Sequence, residues 1–91
     1  MSILNEEEFQ QLRKYKGKVD VKLVEDIINE IEEEFSRSNS VTSSIIFVYA
    51  NHVDLVKQNK EFFELISKIY QKYSGKIGME NVSQLVINSL K

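Results

Sequence analysis

Ile45-Ile46-Phe47-Val48-Tyr49-Ala50 is the stretch on which the fold class of this 91-residue chain turns. Read with a period of two, these β-branched and aromatic residues make a short strand, and Val19-Asp20-Val21-Lys22-Leu23 has the alternation to pair with it. Read with a period of 3.6, they open a helix that runs on through Asn51-His52-Val53-Asp54-Leu55-Val56 and is apolar on nearly all sides at its start, the mark of a central element. The helix is the expected form, because two isolated short strands make a marginal sheet. The strand pairing stands as its alternative.

Working upstream, Ser36 to Ser44 is rich in hydroxyls that compete with backbone hydrogen bonding, so it reads as a loop and a helix cap. Before it, Asp20 is placed to cap a helix over 21–36, in which Val21, Val24, Ile28, Ile31 and Phe35 recur at helical steps. Asn5 as cap, Glu8 as capping-box partner and a Leu4–Phe9 staple predict a first helix over 6–16, with Gly17 as its C′ residue. Downstream, Asn59 resembles a cap for a helix from Lys60 to Tyr73, ended by Ser74-Gly75. Ile77-Gly78 then starts a last helix carrying Met79, Val82, Leu85, Val86 and Leu90 on its apolar side. Together these segments predict one all-α domain over 1–91, a compact antiparallel bundle of four to five short helices.

The composition removes several classes of function. The chain has no cysteine and one histidine, which rules out thiolate chemistry and disulfides and leaves little raw material for a triad or a zinc site. No Gly-rich phosphate loop occurs. The longest apolar run, 45–50, is far short of the roughly 20 residues of a membrane span. The acid-rich opening Met1-Ser-Ile-Leu-Asn-Glu-Glu-Glu8 is unlike a signal peptide, so the expected compartment is the cytoplasm. Through Ser40 there are 10 acidic residues against 6 basic, and afterwards 4 against 6. That mild polarity can orient a partner without naming one.

Four residues are singled out as partner-binding candidates: Phe62, Phe63, Lys68 and Lys72. Adjacent residues on a helix point about 100° apart, so one of Phe62 and Phe63 is expected at the edge of the core, where an exposed aromatic can anchor a partner. Lys68 and Lys72 are four apart and share a face, as a phosphate-binding surface would require. Glu61 and Glu64 dilute that field, and this half has no arginine for bidentate base readout. His52 falls on the stripe Ile45, Val48, His52, Leu55 and reads as a boundary histidine. The acids Glu30 to Glu34 read as a solvated face, since no glycine-containing calcium loop accompanies them. No catalytic, cofactor-binding or metal-binding residue is expected.

The pattern of Ile45, Ile46, Tyr49, Ala50 and Leu55, followed by Glu61, Phe62, Phe63, Leu65 and Ile66, resembles the enterocin A type of bacteriocin immunity protein over about half the chain. The resemblance implies a cytosolic antiparallel four-helix bundle that acts by binding, with its last helix and C-terminus contributing to specificity. The sequence departs from that pattern in an extra short helix ahead of the bundle and in ending at Lys91 without the C-terminal tail of many such proteins. The function expected is therefore that of a small non-enzymatic protein-binding module, such as an inhibitor, immunity or accessory protein. A DNA- or RNA-associated regulator using the lysines of the C-terminal half is the alternative.

Overall fold

The computed structural model describes residues 6–91. Among them are six helices and no strand: α1 (Glu6–Arg13), α2 (Val21–Ser38), α3 (Val41–Ala50), α4 (Val53–Gln58), α5 (Lys60–Ile77) and α6 (Met79–Leu90). The Ile45 run lies in α3, and Val21-Lys22-Leu23 opens α2, so the strand pairing does not form. No helix of the described residues is long and apolar enough to cross a membrane.

The caps explain why these segments become helices. Asp20 is extended, and its carboxylate accepts the amide of Leu23 at 3.2 Å, as its spacing predicts. At the far end Asn39 takes the left-handed conformation (φ 58°, ψ 25°), and its amide donates to the Phe35 carbonyl at 2.8 Å. One residue later Ser40 caps α3 by accepting the amide of Ser43 at 3.2 Å. Two residues thus separate α2 from α3 and fold them back on each other. The Asn5 cap and the Leu4 staple expected for α1 lie outside the described residues.

α2, α3, α5 and α6 close into a ring in which α2 and α5 each pack on α3 and α6 and face each other across the diagonal. α1 lies over α5 and α6, and α4 bridges α3 to α5. The centre is filled by Ile27, Ile31, Val48, Ile66, Ile69, Tyr70, Val82 and Val86, all essentially without solvent contact. The Tyr70 hydroxyl meets the Ser83 hydroxyl at 2.6 Å, which satisfies a buried polar group between α5 and α6. Burial pushes the Tyr70 phenol well above its ordinary pKa, while that hydrogen bond pulls the other way.

Several boundaries and one cap differ from expectation. α2 runs to Ser38, two residues past the expected 36, so the loop expected over 36–44 shrinks to Asn39-Ser40. The helix expected to continue past Ala50 breaks at Asn51-His52, which raises the count to six. There the amides of Asn51 and His52 bond to carbonyls three residues back, at 3.1 Å each, and His52 leaves the helical region (φ −135°). The break lets neighbouring side chains reach different helices: the Tyr49 hydroxyl donates to the Phe63 carbonyl on α5 at 2.7 Å, and His52 turns to Glu30 on α2. Asn59 stands at the start of α5 without capping it, since its side-chain amide donates to the Leu55 carbonyl at 3.0 Å. α1 ends at Arg13, beyond which the chain tightens into three-residue turns up to Gly17 (φ 80°). α5 runs through Ser74-Gly75 to Ile77, and the chain turns into α6 on the single residue Gly78.

α3 is also less enclosed than its composition implies. Ile45 and Val48 are buried, but Ile46 is 64% and Phe47 52% exposed. No helix among the described residues covers that side.

The two glycines of the α5–α6 corner should respond oppositely to alanine. Gly78 has φ 89° and ψ 149°, a region open essentially to glycine, and an added Cβ would meet nothing within 4 Å, so Gly78→Ala should cost about 1–3 kcal/mol from backbone strain alone. Gly75 is helical, exposed and equally open, so Gly75→Ala should stabilise by about 0.4–1 kcal/mol. Urea midpoints of the two variants measure both.

Candidate functional site

Phe62 and Phe63 are both buried, at 1% and 2% exposure. The expectation that one of them lies at the core's edge is therefore corrected, for a geometric reason. α5 has neighbours on both sides, so Tyr15 from the segment after α1 packs edge-on against Phe62 at 5.1 Å, and Tyr49 from α3 packs edge-on against Phe63 at 5.4 Å. The two rings also meet each other at 5.2 Å. Neither offers an exposed anchor. The large hydrophobic residues most exposed among those described are instead Ile46 and Phe47 on α3.

Lys68 and Lys72 are exposed on α5, but only Lys68 lacks an ion pair among the described residues. The Lys72 ammonium donates to Glu8 on α1 at 2.8 Å and lies 5.3 Å from the centre of the Tyr73 ring, whose hydroxyl donates to the other Glu8 oxygen at 3.1 Å. Lys72 and Glu8 thus tie α1 onto α5. The hydrogen bond from Lys72 holds the Glu8 carboxyl below its ordinary pKa, against desolvation. With this cation committed, Lys68 alone of the two lysines expected to bind phosphates lacks an ion pair among the described residues.

The acids of α2 are the other concentration of charge, and three of the six pair with a lysine or arginine. Asp26 pairs with Lys22 at 3.2 Å, and Arg37 reaches Glu33 at 3.5 Å and Glu34 at 3.2 Å. His52 Nε2 sits between the two carboxylate oxygens of Glu30, at 3.0 and 3.1 Å, in the boundary position its spacing predicts. Glu25 and Glu32 make no ion pair among the described residues. Both face α6, where a shallow groove of about 200 Å³ is lined by Glu25, Asn29 and Glu32 from α2 and by Gln84, Asn88 and Lys91 from α6, over Ile28 and Ile87. Helical spacing explains the lining: 25, 28, 29 and 32 form one stripe, and 84, 87, 88 and 91 another. Read alone, the stripe looked like solvated surface. The usable signal was that Glu25, Asn29 and Glu32 surround the buried Ile28 and so lie at the border of the packed face.

The described residues thus form a small all-α bundle with a polar groove between α2 and α6. The chain belongs to the family described as calcium binding protein SSO6904, whose model matches residues 1–90. Its fold is shared with the solution structure of an archaeal protein SSO6904 from hyperthermophilic Sulfolobus solfataricus, at 47% sequence identity and a TM-score of 0.90, covering 100% of this chain and 92% of that one. No curated protein matches the chain. These findings overturn the resemblance to enterocin A-type immunity proteins. Its apolar spacing was that of helix packing in general, and 47% identity over the whole chain outweighs it.

The family's description poses a question of fit. Among the described residues no three Asp, Glu, His or Cys side chains gather closely enough to hold a metal ion. Calcium, however, also takes amide, hydroxyl and water oxygens. The groove supplies hard donors of this kind in the carboxylates of Glu25 and Glu32 and the amide oxygens of Asn29, Gln84 and Asn88. Glu25 and Glu32 stand seven residues apart, about 10 Å along the helix, so they bracket the groove instead of forming a single two-carboxylate clamp.

Two outcomes follow from these positions. Phe62→Ala and Phe63→Ala should each cost about 3–5 kcal/mol in chemical denaturation, since both leave cavities in the packed interior. Lys72→Met should lower Tm at neutral pH. Glu8 has a folded-state pKa below its unfolded one, so its contribution is present above the carboxylate range and fades as pH falls through it. The Tm gap between wild type and Lys72→Met should accordingly narrow below about pH 4.

Proposed function

We propose that this protein binds calcium in the groove between α2 and α6, and that it acts by binding and not by catalysis. The observation that carries this reading is a groove bracketed by Glu25 and Glu32, two α2 carboxylates with no ion pair among the described residues, that also presents three side-chain amides. The family's description supports calcium as the ion. Two carboxylates make a low ligand charge, and Lys91 at the groove's end opposes part of it. The expected affinity is therefore weak, with Kd on the order of 10⁻⁴–10⁻³ M.

A second reading, binding of another protein, is favoured by a separate observation. Ile46 and Phe47 are large, apolar and exposed on the outer side of α3. The two readings use different faces and are compatible.

Calcium titration followed by amide NMR shifts tests the first reading, with magnesium as the control ion. The largest changes should fall on Glu25, Asn29, Glu32, Gln84 and Asn88, and the double variant Glu25→Gln, Glu32→Gln should weaken binding by about tenfold or more. Shifts centred on another part of the molecule, or an unchanged affinity in the double variant, would remove the groove from consideration.

A further inference from the structure

We infer that the outer face of α3 and the start of α4 form a docking surface for a cationic amphipathic segment of another protein. This rests on the protein-binding reading above and adds the chemistry of the partner.

On α3, Ser43, Ile46, Phe47 and Ala50 recur at steps of three and four and are all exposed, so they make one helical stripe that no other element of the described residues covers. Val53, 44% exposed at the start of α4, continues it beyond the break at Asn51-His52. Ile46 and Phe47 at 64% and 52% exposure are the most open large hydrophobic residues of the described chain. An apolar ridge of this length suits the i, i+3, i+4, i+7 anchors of a partner helix laid along it.

The charge beside the ridge selects the partner. Phe47 and Val48 share a cleft with Glu30, Glu33, Glu34 and Arg37 of α2, and Asp54 follows Val53 on α4. Against these four carboxylates stand Arg37, which bridges Glu33 and Glu34, and Lys57 one turn along α4. His52 is occupied by Glu30. The flank is net negative by two charges with histidine neutral.

An acidic rim beside an apolar ridge complements a segment with leucine-like residues on one side and lysine or arginine on the other. The same rim disfavours the competing occupants. A second copy docking through this face would set carboxylates against carboxylates, and an anionic lipid surface would be repelled.

The test uses the intact protein and an 18-residue synthetic helix of leucine and lysine. Its controls are the matching leucine–glutamate helix, anionic phosphatidylglycerol vesicles and sedimentation of the protein alone. The leucine–lysine helix should bind, and the leucine–glutamate helix should not. Phe47→Ser and Ile46→Ser should each lower affinity by about tenfold with Tm nearly unchanged, because both side chains are already exposed. Glu33→Lys should lower it further in low salt, whereas Glu25→Gln, in the α2–α6 groove, should leave it unchanged. Equal binding of both helices, with loss on Phe47→Ser, would keep the docking face and overturn the partner's charge. Vesicle binding that depends on Phe47, or self-association abolished by Phe47→Ser, would overturn the inference in favour of those occupants. Binding unaffected by both Phe47→Ser and Ile46→Ser, or no binding of either helix, would overturn this inference and remove the docking face on which it rests.

Discussion

The structure depends on one steric demand: Phe62 and Phe63 are adjacent on α5, and both rings must leave water. Side chains 100° apart on a helix cannot be covered by a single neighbour. The chain meets the demand with Tyr15 on one side and Tyr49 on the other, each in an edge-to-face contact. Covering both rings places the end of α1 and the whole of α3 around α5. The hydroxyl of Tyr49 then reaches the backbone carbonyl of the residue whose ring it covers, so the same side chain supplies packing and a hydrogen bond. A chain with no cysteine relies on such packing and on inter-helix hydrogen bonds to hold its helices in place.

Much of this was legible in the residues. Asp20 and Ser40 cap as hydroxyl and carboxylate residues ahead of apolar periods should, and the stripes of α2, α5 and α6 point inward where their spacing places them. Illegible were the features decided by a partner distant in sequence. The turn at Asn51-His52 answers to Glu30 and Phe63, neither of them nearby in the chain. Continuation of α5 across Gly75 follows from Ile77 packing on the core, which outweighs the cost of about 1 kcal/mol for glycine inside a helix. The family was missed for a related reason: apolar spacing reports that helices pack and is silent on which protein they build. The openness of Ile46 and Phe47 was hidden by composition, since an apolar helix reads as central whether or not something covers it.

The acids of α2 show how one helix serves several ends. Glu30 orients His52, and Glu33 and Glu34 hold Arg37 beside the exposed side of α3. Glu25 and Glu32, on the side toward α6, are left to oxygen-rich surroundings. Exposed ion pairs of this kind contribute little to stability, so their chief effect is on where negative potential remains. It remains at the α2–α6 groove and along α3, on two different faces of one helix.

The tie between Glu8 and Lys72 joins residues 64 apart in the chain, so α1 meets α5 only through contacts distant in sequence. α2 with α3, and α5 with α6, are hairpins closed by one or two residues, and contacts so local form fast. α1 is held on α5 and α6 by Phe9 and Leu12, both buried, by the rings of Phe9 and Tyr73, which sit 5.6 Å apart, and by this pair. Short and without a partner near it in the chain, α1 is expected to open at lower cost than the ring of four. In hydrogen exchange the amides of α1 should trade with solvent ahead of those in the ring of four, through an opening that leaves the rest of the bundle folded.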